Sequence, residues 1–355
     1  MSGGVDSSVA AARVRDSGRR AFAVTLAMWP GSAERRRDRG CCSIDSVEDA
    51  RRVACGLGLP HYVWNLEAEF DAEVVRPVED AYASGVTPNP CTRCNERIKF
   101  GQLLRRALAA GATHLATGHY ARAGRRRGQA TLHRSRDPRR DQSYVLHRLG
   151  QEQLRHALFP VGGVASKAEL RAEAHARGLL TAAKAESQDL CFVEGGIGDE
   201  LGRRLAGRFE PGPVLDAAGT ELGRHRGLPF YTVGQRSGLG LDQRRPDAAP
   251  LYVLEIRRAD NAIVVGRRDA LARRRVEAER CVWVGAAPLP GTRCAAQLRA
   301  HGAALRGTVA DAPAGLLRVD LDDPAEQVSP GQALVVYAGD EVLGGGVIPA
   351  PPAPR

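Results

Sequence analysis

The sequence predicts an α/β domain with a parallel sheet, followed by a small β-rich central domain and a C-terminal β-barrel-like domain. Helical and strand patterns alternate over roughly the first 190 residues, which favours a parallel sheet covered on both faces. Short β-like runs with frequent Pro and Gly dominate from about Gly207, and a second β-rich stretch begins after Arg273. We therefore place the domains at residues 1–198, 207–272 and 273–349, with a disordered tail at 350–355.

Each element of the first domain has its own local signal. The stretch SSVAAARVRDSG predicts a capped helix that ends at Gly18, and AFAVTLAM predicts the strand that follows. VEDARRVACGLG predicts a second helix before the strand HYVWNL, and residues 67–84 and GQLLRRALAAG predict further helices before the strand THLATGH. In the β-rich part, strands are predicted for LPFYTVGQ, LYVLEI, AIVVGRR, RCVWVG, LLRVDL and QALVVYAG.

The net charge of +10 comes almost wholly from arginine, since the lysines are Lys99, Lys167 and Lys184 alone. Arginines cluster at residues 35–39, 125–127, 134–140 and 273–275. Clusters of one sign favour a polyanionic partner such as nucleic acid, although a coding bias toward solvated arginine explains the composition equally well.

No segment of the sequence predicts a membrane protein. The longest apolar run, AFAVTLAMW, is too short to cross a bilayer, and no charged-then-apolar leader precedes the polar N-terminus. We therefore expect a cytoplasmic protein without membrane contact.

The chain opens with a glycine-rich polar turn that leads into the first helix. Paired glycines let backbone N–H groups approach an anion, and a helix N-terminus adds a favourable dipole. The Walker A P-loop needs a Gly-Lys pair, which occurs nowhere in the chain. The turn is therefore predicted to hold phosphate by another motif, whose residues are Ser2, Gly3, Gly4, Val5, Asp6, Ser7 and Ser8.

A second motif, TPNPCTRCNERIKF, places Cys91 and Cys94 three residues apart at the start of a helix. Nearby positive charge and the helix N-terminus stabilise thiolate, so one of these sulfurs is predicted to be reactive. Half of a zinc site, a thioredoxin-type pair and simple packing remain alternatives, but no second Cys pair with zinc-ligand spacing completes a site. A third motif, ESQDLCFV, contains Cys191, which by itself suits a buried core cysteine.

The motif SGGVDSS resembles the pyrophosphate-binding loop of ATP pyrophosphatases, whose Rossmann-like domain is called the PP-loop domain. Taken together, the motifs resemble the tRNA-specific 2-thiouridylases, which replace O2 of the anticodon wobble uridine with sulfur. The resemblance runs nearly end to end, with these motifs in family order: SGGVDSS, NPCTRCNERIKF, ATGHY, RDQSYVL, LFPVG, SQDLCF, GQRSGLG and PGQALVVY. In that family a strand precedes the loop, so we expect the first strand to be absent here, either through a late start assignment or because the loop lacks its usual support.

The resemblance implies a mechanism with two cysteines. Cys94 would be the nucleophile, and Cys191 would carry sulfur as a persulfide received from a donor protein. ATP with Mg would adenylate the uridine oxygen, and no permanently bound cofactor is expected. Cys94 would either attack the persulfide to release sulfide or resolve it as a transient Cys94–Cys191 disulfide, and the sequence leaves both routes open.

The resemblance also implies binding residues. Met28 and Gly118 would join the loop residues in contacting ATP, although Met28 also suits core packing. The anticodon stem-loop of tRNA would be contacted by Asn89, Pro90, Cys91, His119, Arg140, Asp141, Gln142, Arg299, Ala300 and Gln332. No metal ligands are predicted apart from Mg bound with ATP, and a monomer is expected.

Two rival functions remain open. A PP-loop ATP pyrophosphatase that acts on a small molecule would share SGGVDSS but would need neither Cys94 nor Cys191. A non-catalytic RNA-binding module would instead use the Cys pair as a metal site.

Overall fold

A computed structural model of the chain describes residues 1–28, 44–185, 197–241 and 249–350. The predictions for Cys191, for the arginine cluster at 35–39 and for the tail beyond residue 350 lie outside the described residues.

The first domain alternates helices with short strands. Its helices are α1 (Val5–Asp16), α2 (Ile44–Gly56), α3 (Glu67–Phe70), α4 (Arg76–Ala83), α5 (Pro90–Arg93), α6 (Leu104–Ala109), α7 (Gln151–Leu154), α8 (Lys167–Ala176) and α9 (Ile197–Arg204). Its strands are β1 (Ala23–Ala27), β2 (His61–Asn65), β3 (Leu115–Ala116), β4 (Ala121–Arg126), β5 (Gln129–Arg134) and β6 (Ala157–Leu158). β1 pairs with β2 and β3 with β6, both in parallel, which confirms the predicted parallel α/β architecture.

Two helical runs contain wider π-type turns. Asp71–Val75 connects α3 to α4, and Cys94–Leu103 connects α5 to α6. Residues 90–109 therefore form one continuous helical run, which we call the cysteine helix. Wide turns of this kind are rare and occur often at functional sites.

The hairpin of β4 and β5 was not predicted from the sequence. Its turn places Arg127 and Gly128 at φ of 49° and 82°, the left-handed pair that closes a tight hairpin. Arginine-rich strands lack the apolar alternation that predicts a strand, so the sequence pattern gave no signal here.

The central domain is a four-stranded sheet in the order β8-β7-β10-β9, formed by β7 (Gly212–Leu215), β8 (Glu221–His225), β9 (Tyr252–Arg257) and β10 (Ala262–Gly266). The strand predicted for LPFYTVGQ is wrong. That segment begins with a short 3₁₀ turn, Leu228–Phe230, because Pro229 lacks the N–H that a ladder needs.

The C-terminal domain is a closed six-stranded barrel, as predicted. Its strands are β11 (Arg273–Trp283), β12 (Arg293–Gln297), β13 (Leu305–Asp311), β14 (Leu316–Ala325), β15 (Ala333–Ala338) and β16 (Glu341–Val347). The order β11-β14-β13-β12-β15-β16 closes through pairing of β16 with β11, and the interior is filled by residues such as Val309, Leu317 and Leu334.

The first domain and the barrel share a hydrophobic core. Phe100 of the cysteine helix and Tyr144 belong to the same buried cluster as Val335 and Tyr337 of β15. The β4–β5 hairpin also extends the barrel sheet where His133 pairs with Glu341 of β16. The cysteine helix is therefore packed, in part, against the C-terminal domain. No helix in the described ranges is long and apolar enough to cross a membrane.

Candidate active site

The N-terminal loop of residues 2–8, called the phosphate loop below, is shaped by its glycines. Gly3 adopts φ of +68°, and a Cβ there would lie 2.2 Å from the Ser46 carbonyl oxygen. Gly4 precedes the first turn of α1 and has no side chain to cap it. The first amide groups of α1 thus face outward with the positive end of the helix dipole, an arrangement that suits an anion.

The serines of the phosphate loop brace it from within. The hydroxyls of Ser7 and Ser8 donate to the Gly4 carbonyl at 3.0 and 2.9 Å, and the Ser2 hydroxyl lies 3.2 Å from that of Ser7. Ser8 is fully buried and Ser2 is exposed. The expected hydroxyl donors therefore divide into a structural serine, Ser8, and serines that stand nearer to solvent.

Asp6 is held by two side chains from other elements. The Tyr120 hydroxyl donates to Asp6 Oδ1 at 2.7 Å, and the Lys167 ammonium, at the N-terminus of α8, donates to the same oxygen at 2.6 Å. Both partners come from positions more than 110 residues away. The contacts orient the carboxylate and place a cation beside the phosphate loop.

The segment after β3 contacts the phosphate loop directly. A Cβ on Gly118 would lie 2.8 Å from both the carbonyl carbon of Asp6 and the amide nitrogen of Ser7. Only glycine permits this approach between two backbones. The next residue but one, Tyr120, is fixed in turn by Gln142, whose Oε1 accepts from the Tyr120 amide at 2.9 Å.

Cys91 and Cys94 lie on the first turns of the cysteine helix. Asn89 caps this helix, because its side chain accepts from the Thr92 amide at 3.2 Å. Cys91 is exposed, whereas Cys94 is 7 % exposed and packs in the same apolar cluster as Met28, which follows β1. Met28 and Cys94 thus contribute to one buried apolar cluster.

Carboxylates partly neutralise the cations that the sequence places near the two cysteines. Arg93 bonds to the backbone and side chain of Glu73, and Glu96 accepts from Arg148 at 2.7 Å and lies 3.7 Å from Arg97. Lys99 instead points toward His119, with its Nζ 3.4 Å from His119 Nε2.

His119 is neutral at physiological pH. Burial holds the pKa of its imidazole well below the ordinary value of 6.5, and the charge of Lys99 lowers that pKa further. Because the Lys99 ammonium can only donate, Nε2 is the acceptor, and Nδ1–H donates to the Thr117 hydroxyl at 2.8 Å. Gly118 and His119 therefore connect the phosphate loop to the cysteine helix.

The expected tRNA-contacting segment at 140–142 differs from residue to residue. Arg140 is exposed. Asp141 is a structural hub that accepts from Arg134 at 2.8 Å, from the Ser143 hydroxyl at 2.8 Å and from the Ser135 amide at 2.9 Å. The side-chain oxygen of Gln142 accepts a hydrogen bond from the Tyr120 amide, as described above.

The three candidates in the barrel lie in two places. The exposed Arg299 and the partly buried Ala300 form a turn whose carbonyls accept from Gln297 Nε2, both at 3.1 Å. Gln332 donates from Nε2 to the carbonyl oxygen of Thr87 at 2.8 Å, two residues before Asn89.

The two described cysteines of the barrel do not resemble nucleophiles. Burial raises the pKa of Cys281 and of Cys294 in the barrel to about 11, so both are thiols at neutral pH. The five cysteines of the described residues form no disulfide with one another, and no group of three or more metal-ligating side chains occurs within those residues.

Sequence reasoning counted Lys99 among the cations near the cysteines but missed Tyr120 and Lys167, which contact Asp6. A signal for Lys167 was available, since it is one of only three lysines among 51 Lys and Arg residues. The third, Lys184, bonds Asp49 on α2, the helix whose Ser46 contacts Gly3. In this arginine-rich chain, the few lysines therefore indicate the region of the candidate site.

Comparison with known proteins agrees with this geometry. Three family models match consecutive parts of the chain: a tRNA methyl transferase HUP domain at residues 1–195, a tRNA methyl transferase PRC-barrel domain at 200–267 and an aminomethyltransferase β-barrel domain at 273–348. The tRNA-specific 2-thiouridylase MnmA of Beutenbergia cavernae is 47 % identical over 99 % of this chain and 93 % of its own length. The proteins of the same name from Roseiflexus castenholzii and Moorella thermoacetica are each 44 % identical over 98 % of this chain, and over 97 % and 98 % of their own lengths.

This chain belongs to the tRNA-specific 2-thiouridylase family. The descriptions of the matching models mention methyl transfer, but the near full-length relatives are named for thiolation, and the paired cysteines of the family motif suit sulfur chemistry. Membership of this family implies the use of ATP.

Proposed function

We propose that this chain is an ATP-dependent tRNA-uridine 2-sulfurtransferase that converts the wobble uridine of the anticodon to 2-thiouridine. One observation carries the proposal beyond the family name. Residues 117–120 contact the phosphate loop through Gly118 and the cysteine helix through His119, so one short segment couples the two halves of the site.

The phosphate loop suits a nucleoside triphosphate. Gly3 and Gly118 allow close backbone approaches that a Cβ would block and so shape the loop, and the uncapped start of α1 offers backbone amides to phosphate oxygens. Residues 2–8 would hold the phosphates with Mg, and Met28 would contact the adenine. When bound, ATP supplies an adenylate leaving group at O2 of the uridine, which is otherwise a poor leaving group.

The cysteines would carry the sulfur. Cys191 would accept a sulfur atom as a persulfide from a donor protein, and the terminal sulfur would attack C2 while AMP departs. Cys94 would then attack Cys191 Sγ, which breaks the S–S bond, releases 2-thiouridine and leaves a Cys94–Cys191 disulfide for an external thiol to reduce. In the other route, Cys94 attacks the persulfide first and the same disulfide forms as sulfide is released to attack C2.

The remaining residues would bind the RNA. Arg140 and Arg299 are exposed and suit phosphate contacts, while Asn89, Pro90 and Cys91 lie at the start of the cysteine helix, where a splayed uridine would have to enter. His119 is a neutral donor–acceptor at this position. Asp141, Gln142, Ala300 and Gln332 make internal contacts and would act through the segments they hold.

The proposal also covers the domain bounds, the oligomeric state and the location of the protein. The catalytic domain would span residues 1–198, and the central and barrel domains residues 207–272 and 273–349. We propose that the protein acts as a monomer in the cytoplasm and carries no permanent cofactor.

The test is a thiolation reaction with ATP, a persulfide donor and unmodified tRNA, in which thiolated tRNA is detected by its retardation in a mercury-containing gel. Cys94→Ser and Cys191→Ser are expected to abolish product while ATP binding survives. Cys281→Ser is the matched control and should retain activity, because burial already keeps that thiol protonated. Full product from both serine variants would refute the persulfide scheme, and AMP formed without tRNA would favour the small-molecule rival.

A further inference from the structure

All three domains meet at Thr87, just before the cysteine helix. The Thr87 amide donates to the Pro330 carbonyl of the barrel at 3.1 Å, and the Thr87 carbonyl accepts from Gln332 Nε2 at 2.8 Å. The Thr87 hydroxyl lies 3.0 Å from that of Thr232 in the central domain. Both backbone groups of Thr87 are therefore occupied by the barrel.

Gly331 makes this contact possible. It adopts φ of +89°, and a Cβ there would lie 2.5 Å from Val86 Cγ1 and 2.9 Å from the Thr87 carbonyl carbon. The barrel backbone can approach the first domain this closely only without a side chain at this position.

The same barrel segment is also linked to the cysteine helix through the turn that contains Tyr144. Ala333 donates its amide to the Tyr144 hydroxyl and accepts from that hydroxyl through its carbonyl, both at 3.0 Å. The turn that contains Tyr144 contacts the cysteine helix through Asn95, whose Nδ2 donates to the Val145 carbonyl at 3.2 Å. Residues 330–333 are thus linked to the helix by two routes, through Thr87 and through the turn that contains Tyr144.

The connection from Thr87 to Cys94 is short and stiff. Pro88 and Pro90 flank Asn89 and restrict φ on both sides of the helix cap. A displacement of Thr87 would therefore move the first turns of the helix rather than be absorbed by a flexible linker. Because Cys94 is only slightly exposed, a small movement would change the access of a reactant to its sulfur.

We propose that Gln332 is a positioning residue, which together with Gly331 clamps Thr87 and so sets the placement of Cys94 before any RNA binds. The proposal rests on the proposed role of Cys94 in sulfur transfer. It gives Gln332 a different role from the tRNA contact expected from the family resemblance: the barrel acts on the chemistry through the protein backbone.

The test compares Gln332→Met with the wild-type chain in two measurements. Methionine keeps the length of the side chain and removes the donor. In protein without tRNA, the ratio of iodoacetamide modification at Cys94 to that at Cys91 is read by peptide-resolved mass spectrometry, with Cys91 as the internal reference. We expect this ratio to change at least about threefold, and kcat for thiolation to fall about tenfold with KM for tRNA unchanged, since misplacement of a reacting group by ~1 Å can cost up to ~100-fold in rate.

Gln151→Met is the matched control. Gln151 Nε2 also donates from the first domain to a barrel carbonyl, that of Val284, at 2.5 Å, and to the Ala130 carbonyl at 2.8 Å, but neither bond involves Thr87 or a residue of the cysteine helix. This variant is expected to leave the modification ratio and kcat unchanged. Gln332→Glu, which also removes the donor, gives the expected change by a second route if the methionine variant does not fold.

Three results would overturn the clamp. An unchanged ratio and an unchanged kcat in both Gln332 variants would show that the bond does not position Cys94. A raised KM with an unchanged ratio would assign Gln332 to direct tRNA contact. Equal changes in Gln151→Met and Gln332→Met would reduce the effect to general loosening between domains. If the wild-type chain formed no thiolated tRNA, the proposed function would fail, while the ratio would still decide whether the clamp exists.

Discussion

The phosphate loop and the Thr87 junction are both built on glycines in left-handed conformations, yet they differ in how they are encoded. The phosphate loop occupies seven consecutive residues, and its geometry follows from Gly3, Gly4 and the start of α1. The junction is assembled from residues 87, 232 and 330–332, which are separated by up to 245 positions. A contiguous motif can be recognised in a sequence, whereas an assembled contact has no local pattern to recognise.

The two regions also use different interactions. The phosphate loop contains an ion pair and the backbone amides at the start of α1, which suit an anion. Substitutions there should therefore lower catalytic activity more than stability. The junction consists of neutral, partly buried hydrogen bonds, so damage there should affect stability or positioning. The following predictions test this contrast, from the largest expected effect to the smallest.

Gly118→Ala should damage the phosphate loop most severely. A Cβ would lie 2.8 Å from the Asp6–Ser7 peptide, so the loop or the segment after β3 must shift. We expect ATP-dependent thiolation to fall at least about 100-fold, since a ~1 Å shift in a site can cost this much. The control is Gly163→Ala, where nothing lies within 4 Å of the added Cβ, and its activity should match the wild type.

Lys167→Met should have the next largest effect. It removes the cation beside Asp6, so that this carboxylate would lie next to bound phosphates without the lysine that pairs with it. We expect a fall of about tenfold or more in kcat/KM for ATP, equivalent to at least ~1.4 kcal/mol. An unchanged kcat/KM for ATP would limit Lys167 to a structural role.

Tyr144→Phe tests the hydrogen bonds to Ala333, the residue that follows the junction segment 330–332. The change removes both hydrogen bonds to Ala333 and leaves a buried amide and carbonyl without that partner. The free energy of unfolding should fall by about 1–3 kcal/mol, as measured by urea denaturation. If the assembled contact governs stability rather than nucleotide binding, KM for ATP should remain unchanged in this variant.

His147, which lies near the junction, should make stability depend on pH. Burial lowers the pKa of its imidazole from 6.5 to about 4. Between these two pH values the unfolded chain binds a proton at this residue and the native state does not. Its contribution is complete above pH 6.5 and is lost as pH falls toward 4, by up to about 1.4 kcal/mol for each pH unit. His147→Asn, which can keep a donor to the Tyr144 carbonyl, should flatten this part of the stability curve; an equally steep curve would contradict the assignment.

Arg126→Ala should have the smallest effect. Arg126 makes a bidentate pair with Glu341 where the β4–β5 hairpin meets the barrel, but the arginine side chain is 67 % exposed. Solvent screening limits such a pair to between 0 and about 1 kcal/mol. A larger loss would mean that this ion pair stabilises the contact between the hairpin and the barrel by more than solvent screening allows.

The arginine clusters show how much a charge pattern in the sequence can predict about binding. The sequence suggested that they attract a polyanion, and Arg140 of the cluster at 134–140 is exposed, as is the isolated Arg299. Arg275 pairs with Asp320, and Arg134 pairs with Asp141 and lies 3.5 Å over the ring of Tyr337. Which arginines are compensated depends on the carboxylates that folding places beside them, whether these are 7 or 45 residues away in the chain.

Local patterns therefore predicted what local physics controls: the helix starts, the glycine turns, the alternation that produces a parallel sheet and the many short strands of a barrel. They also placed Cys94 in a capped helix after Pro90, because Asn89 and the prolines act over a few bonds. Contacts across the chain decided the rest. Lys167 reaches Asp6, His119 faces Lys99 and Gln332 holds Thr87 because folding brings together groups whose hydrogen bonds need distances near 3 Å, and no spacing along the chain specifies such partners.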